Sequence, residues 1–176
     1  VTQENAILIG IFDGFSWIRC AGRGSFLTSP ALKACIDARI DDGERCAVVD
    51  LSACSGMDST FMGTLAGLST RLKKRGGKLQ VADPGEKNRH SLVDLGLHHL
   101  FEVDPPEAIW RGHEETVRSR LQPFTDVKAL GQMPRAEHVL EAHKILSAAN
   151  EENARKFSGV VRLLEEQVST KPEPKE

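Results

Sequence analysis

Asp58, Ser59 and Thr60 stand consecutively where a short buried strand gives way to a helix, and they carry the most legible chemistry in the chain. The strand is the apolar run Cys-Ala-Val-Val-Asp-Leu over 46–51, of the kind that fills a parallel sheet. Downstream, Phe61, Leu65, Leu68 and Leu72 recur at i, i+4, i+7 and i+11 and draw one apolar stripe along a helix. Ser59 therefore falls in that helix's first turn, where backbone N–H groups lack intrahelical partners and the macrodipole is positive. A phosphate ester is held well at such a place, and it brings nearly two negative charges. These residues describe a switch, with Ser59 as acceptor and Thr60 as the secondary one. Asp58 alone is also a good N-cap, with Met57 packing on Met62 as a staple.

Other chemistries fit less well. A nucleophile elbow needs small residues two before and two after its serine, and here those positions hold Met57 and Phe61. No phosphate-binding G-x-x-x-x-G-K-[ST] occurs. Cys20, Cys35, Cys46 and Cys54 show no C-x-x-C spacing and read as reduced core residues of a cytosolic protein. His98 and His99 are adjacent, and His138 and His143 are five apart, off the i, i+4 face of a helical metal site. The residues thus describe a non-enzymatic protein without metal or cofactor.

The elements that must position Ser59 follow from period and punctuation. Two strands, 6–12 and 15–21, flank the Asp13-Gly14 turn, and Gly22-Arg23-Gly24 breaks the second. Ser29-Pro30 starts a helix, with Ser29 as N-cap, whose buried stripe is Leu32, Cys35, Ile36 and Ile40. After the 46–51 strand and the 59–75 helix come a strand over 78–83, a short helix over 86–95, a strand over 100–103 and a helix from Pro105-Pro106 to Leu121. This alternation predicts an α/β fold with a mixed four- to five-stranded sheet and packed helices. The predicted organisation is a domain over 1–121, a linker over 122–134, a C-terminal helix or helical hairpin over 135–168, and a disordered tail over 169–176. In the C-terminal segment Val139, Leu146, Phe157, Val160 and Leu164 lie near a coiled-coil seam interrupted by His143, Asn150 and Asn153. That segment is expected to dock on the domain or on another copy, giving self-association, and to be an interaction element outside the core.

On the helical wheel Ser59, Gly63, Ala66, Gly67 and Thr70 lie opposite the apolar stripe. Two interior glycines cost such a helix about 2 kcal/mol relative to alanine, a penalty tolerated where something approaches closely. Asp58, Ser59, Gly63, Ala66, Gly67 and Thr70 are the expected partner-binding set. The competing reading is a helix buried by its own protein on both faces. Net charge is −2 with scattered Lys and Arg, so composition gives no nucleic-acid footprint. No run is long and apolar enough for a membrane span, and a soluble, cytoplasmic protein is expected.

The stretch 48–67, Val-Val-Asp-Leu-Ser-…-Met-Asp-Ser-Thr-Phe-Met-Gly-Thr-Leu-Ala-Gly, resembles the signature of the STAS domain, specifically that of bacterial anti-sigma-factor antagonists. Gly77-Lys-Leu-Gln-Val-Ala, and 92–97 followed by Leu100-Phe-Glu-Val, are similar to that family's fourth strand, third helix and last strand. The resemblance covers roughly 6–121 and leaves the C-terminal segment unexplained. It implies a STAS fold and partner switching. In that mechanism the unmodified domain binds an anti-sigma factor, often also a serine kinase, and frees the sigma factor. Phosphorylation loosens the complex and a serine phosphatase resets it. By the same resemblance the modified serine is Ser59, the preceding acid is Asp58, the neighbouring hydroxyl is Thr60, and Gly63 matches a family glycine. Phe61 stands where the family commonly has glycine. The alternative is an unphosphorylated accessory subunit of STAS type, docked on a transporter ATPase or a signalling scaffold.

Overall fold

The computed structural model describes residues 4–125 and 133–170. Of the expected linker, 126–132 lies outside the described residues, as does the expected tail from 171 onward. Strands β1 (Ala6–Phe12) and β2 (Phe15–Gly24) form an antiparallel hairpin in which Phe12 faces Phe15 across the Asp13-Gly14 turn. Helix α1 (Ser29–Asp41) leads to β3 (Cys46–Asp50), α2 (Ser59–Lys74) to β5 (Lys78–Ala82), and α3 (Gly85–Asp94) to β6 (Glu102–Val103). In the order β6-β5-β3-β2-β1-β7, where β7 is Gln122–Pro123, β3 pairs parallel with β2, β5 with β3, and β6 with β5. The long strands with β4 (Cys54–Met57) make the expected mixed four- to five-stranded sheet, and the two-residue β6 and β7 extend its edges.

The period of two along the strands divides the core. Ile18, Cys20, Ala47, Val49, Leu79 and Val81 face α1, α2 and α3, while Phe15, Trp17, Cys46, Val48 and Ala82 face Trp110 and Val117 on the other side. Trp17 and Trp110 meet edge to face at 5.2 Å. The expected long helix over 105–121 is instead a chain of turns with one short helix, α4 (Glu114–Arg118). Gly112 takes a φ of +86° there, so the segment folds back over the sheet and buries Trp110.

One buried carboxylate holds that segment down. Asp50, fully buried at the end of β3, accepts bonds from Arg118 Nε (2.8 Å), Trp17 Nε1 (3.0 Å) and the Ser52 amide (2.9 Å). Burial pushes the Asp50 carboxyl up, but the Arg118 guanidinium and the Ser52 bonds prevail and hold it below its ordinary value. Two elements differ from expectation beside the site. Strand β2 runs through Gly22-Arg23-Gly24 instead of breaking, because β4 pairs with it there across a register shift between Gly22 and Arg23. Helix α1 is preceded by Thr28 as N-cap, so Ser29 is its first helical residue and not its cap.

The C-terminal segment is a hairpin of α5 (Arg135–Ala149) and α6 (Glu151–Ser169), broken at Asn150, whose extended backbone and side-chain bond from the Asn153 amide (2.8 Å) start α6. It docks on α2. Leu146 and Phe157 belong to the main hydrophobic cluster, contrary to the expectation that this segment stays out of the core. The seam asparagines have a tertiary role: Asn150 Nδ2 and Asn153 Nδ2 both donate to the Leu95 carbonyl at the C-terminus of α3, at 3.2 and 2.9 Å. Gly96, at φ +69°, follows that carbonyl, and a Cβ there would stand 2.9 Å from the Asn150 amide.

Arg118→Met should remove the guanidinium hydrogen-bonded to the buried Asp50, leaving it Arg19 Nε at 3.8 Å as the nearest cation, and destabilise the fold by about 3 kcal/mol. Urea denaturation should show this as a lower midpoint with an unchanged slope.

Candidate functional site

Strand β4 delivers the chain to Asp58, whose backbone amide donates to the Gly24 carbonyl at 2.8 Å. The two carboxylate oxygens of Asp58 then serve two helix entrances. Oδ1 accepts from the Phe61 amide (2.8 Å) and caps α2, while Oδ2 accepts from the Phe26 amide (2.8 Å) in the turn before α1. The side chain placed in the partner-binding set is thus engaged inside the fold. Phe61 is fully buried and lies against Gly24, where a Cβ would come within 2.9 Å of its ring. The bulky residue after Thr60 is accommodated by a missing side chain on β2.

Ser59 is half-buried, and its hydroxyl lies 2.9 Å from His143 Nε2. His143 Nδ1 lies 2.7 Å from the Val139 carbonyl. A carbonyl only accepts, so Nδ1 carries the proton and Nε2 takes the hydrogen bond that the Ser59 hydroxyl donates. Five residues earlier on α5, His138 Nε2 lies 2.7 Å from the hydroxyl of Ser29, which begins α1. Each histidine of α5 therefore meets a serine at the N-terminus of one helix of the domain. Thr60 is 4 % exposed, which shields the expected secondary acceptor.

The small-residue face of α2 is covered by α5. Gly63 and Ala66 are buried, Gly67 is half-buried, and Thr70 alone of the set is exposed. A Cβ on Gly63 would stand 2.3 Å from the Ala142 carbonyl oxygen, and one on Gly67 would stand 2.7 Å from Ile145 Cδ1. The expectation that this face lies open for another protein is corrected: the chain's own helix crosses there, and α2 is buried on both faces. The glycines admit that close crossing. Beside it, α2 and α5 leave a largely apolar cleft of about 430 Å³ bordered by Thr64, Gly67, Leu68, Ala142, Ile145 and Ala149.

His138 and His143 were missed as site residues because the sequence reading tested them only for metal spacing and for seam disruption. A usable signal lies in α5 itself. Both imidazoles stand beside Leu140, Ala142 and Leu146, and a polar ring on a buried face requires a partner. Burial, the leading influence, and Lys33 hold the His138 imidazole below its ordinary value against the opposing pull of Glu141 and Asp58. Burial also pushes the Cys35 thiol up to about 12, the Cys46 thiol up to about 11 and the Cys20 thiol well above its ordinary value, so these are inert core thiols. Among the described residues no helix is long and apolar enough to cross a membrane.

The sequence model of the STAS domain matches residues 7–109. No curated protein matches the chain. Among solved structures, an anti-sigma factor antagonist from Mycobacterium paratuberculosis is similar at 28% identity and a TM-score of 0.54, over 65% of this chain and 95% of that one. The Bacillus cell fate determinant SpoIIAA in its phosphorylated form is similar at 20% identity and a TM-score of 0.50, over 65% of this chain and 100% of that one. The unphosphorylated form of SpoIIAA gives 19% identity and 0.50, over 64% and 98%. The last two likenesses concern the fold. The α5–α6 hairpin lies beyond the matched 7–109.

A depressed imidazole binds fewer protons docked than free, so the contact at His138 is at full strength above the free-histidine value and weakens as pH falls below it. Urea stability should fall between about pH 7.5 and about pH 5.5. His138→Gln keeps an acceptor for Ser29 without titrating, so denaturation curves for this variant should show a smaller fall over the same range.

Proposed function

The chain belongs to the STAS domain family, and from that premise we propose that it is an antagonist of an anti-sigma factor, acting by partner switching. The unmodified protein binds an anti-sigma factor that is also a serine kinase, phosphorylation of Ser59 releases it, and a serine phosphatase restores the binding form. The work is regulatory, not enzymatic, and cytoplasmic. Partner contacts fall on the loop around Asp58 and, once α5 no longer covers it, on the α2 face with Ser59, Gly63, Ala66, Gly67 and Thr70.

The observation that carries the reading is the position of Ser59 directly after the Asp58 cap, at the start of a 16-residue helix. A phosphate there gains from the unpaired amides and the helix dipole, about 0.3–1 kcal/mol, so the modified domain stays folded. Support also comes from the similar chain described as an anti-sigma factor antagonist, at 28% identity. The bond between Ser59 and His143 favours the second reading, an unphosphorylated accessory subunit on a transporter ATPase or scaffold, because it occupies the hydroxyl.

Incubation with ATP and the cognate serine-kinase anti-sigma factor decides between them. Wild type should take up phosphate at Ser59, and Ser59→Ala should remain nearly unlabelled. Equal labelling of the two proteins places the acceptor elsewhere, and no labelling of either favours the accessory subunit.

A further inference from the structure

We propose that the α5–α6 hairpin is an exchangeable, intramolecular occupant of the α2 face, and that Ser59 is modified and a helical partner bound only when the hairpin lifts away. The second half of this statement rests on the assignment of Ser59 as phosphoacceptor; the first half does not.

The hydroxyl supplies the first argument. In phosphoryl transfer Ser59 Oγ forms a bond to the γ-phosphorus of ATP, the bond to ADP breaks, and the hydroxyl proton passes to a base of the kinase. The proton's present acceptor is His143 Nε2, at 2.9 Å. That separation leaves no room for a phosphorus atom and its three further oxygens. The imidazole must leave before a kinase can present its own base and nucleotide, and phosphoserine cannot return to the same contact.

The second argument is the shape of the seat. Gly63 lets the Ala142 carbonyl come closer than any side chain at that position would allow, and Gly67 receives Ile145. Such a surface fits an α-helix that presents a small residue at the crossing and an aliphatic one three positions later. A partner using the same face must offer a comparable helix and compete with α5 for it.

The contact is also built to open. The opposite face of α2 is closed over Phe61, Leu65 and Leu72, whereas the α5 side, with Ala66 and Leu146 buried at its centre, borders a cleft of about 430 Å³. Its polar anchors, the Ser59 and Ser29 hydroxyls and the Leu95 carbonyl, can all turn to water when the hairpin leaves. The hairpin has contacts of its own to travel with: His143 packs edge-on against Phe157 at 5.6 Å, and Lys144 pairs with Glu165 at 3.3 Å. Sub-global opening of such a unit requires less free energy than opening the sheet.

Amide exchange on the full chain, read by mass spectrometry, tests the first half without any kinase. Amides of α5 and α6 should exchange at least about tenfold faster than those of β3, through an opening that leaves β3 protected. Exchange of both sets at one common rate overturns the proposal. The second half is read with Gly67→Cys/Ile145→Cys, a pair placed so that a Cβ at 67 lies 3.9 Å from Ile145 Cγ1. With the serine kinase and ATP, the oxidised, locked protein should be labelled at least about tenfold more slowly than the reduced one, and Ala142→Arg, which wedges the hairpin off, faster than wild type. Equal labelling of locked and reduced protein overturns the gate. Labelling of none of these proteins, Ala142→Arg included, refutes the reading of Ser59 instead, and the exchange result still decides the hairpin's mobility.

Discussion

The Asp58 carboxylate uses its two oxygens on the entrances of two helices, the Phe61 amide of α2 and the Phe26 amide ahead of α1. Those bonds fix where the helices begin relative to one another, and each begins with a serine, Ser59 and Ser29. The spacing of His138 and His143 on α5 can match that pair only because the brace sets it. Loss of the Asp58 carboxylate would therefore uncap α2 and also misalign both serine–histidine contacts. The same side chain precedes the proposed acceptor, so it cannot adapt to a partner without disturbing the fold. Asp58 frames the site more than it binds at it.

Much of the frame was legible because it is local. The uninterrupted apolar run of β3 and the stripe Phe61, Leu65, Leu68, Leu72 belong to single elements, and period alone identifies them. Strand β4 was not legible: Cys-Ser-Gly-Met carries no alternation and no β-branched residue, and it is a strand only because β2 runs past its register shift to meet it. The 105–121 segment failed for a related reason. Its local pattern suits a helix, but Trp110 and the Arg118–Asp50 bond are satisfied only if the chain turns back over the sheet.

The site shows the same division more sharply. Ser59, Asp58 and the glycines of α2 were visible as a face that something must approach, and that inference about closeness was sound. The occupant was assigned to another protein because Gly63 and Ala142 are far apart in sequence, and periodicity carries no information about which surface meets which. The polar residues His143, Asn150 and Asn153 were read as defects in a coiled-coil seam. Each instead meets a specific acceptor or donor on the domain: the Ser59 hydroxyl, or the Leu95 carbonyl. Polar groups on a buried face point to a partner, and here the partner lies in the same chain.

An intramolecular occupant changes how a binding face responds. A tethered segment acts at an effective concentration commonly in the millimolar range, so an outside helix of equal intrinsic affinity competes poorly until the tethered one is weakened. If only a fraction of the molecules is open, the apparent affinity of any partner falls to that fraction of its intrinsic value. Acidification weakens the docked state at His138, whereas the proposed phosphate on Ser59 would be added to the open state and would bar His143 from returning. The two act on one helix, α5, at points five residues apart. Weakening either anchor raises the open population, and because the anchors share one rigid helix, release at one exposes the other. On the proposed partner-switching reading, the face that would accept a partner and the hydroxyl whose modification would end the interaction are uncovered together, which would couple the two halves of that cycle to a single conformational step.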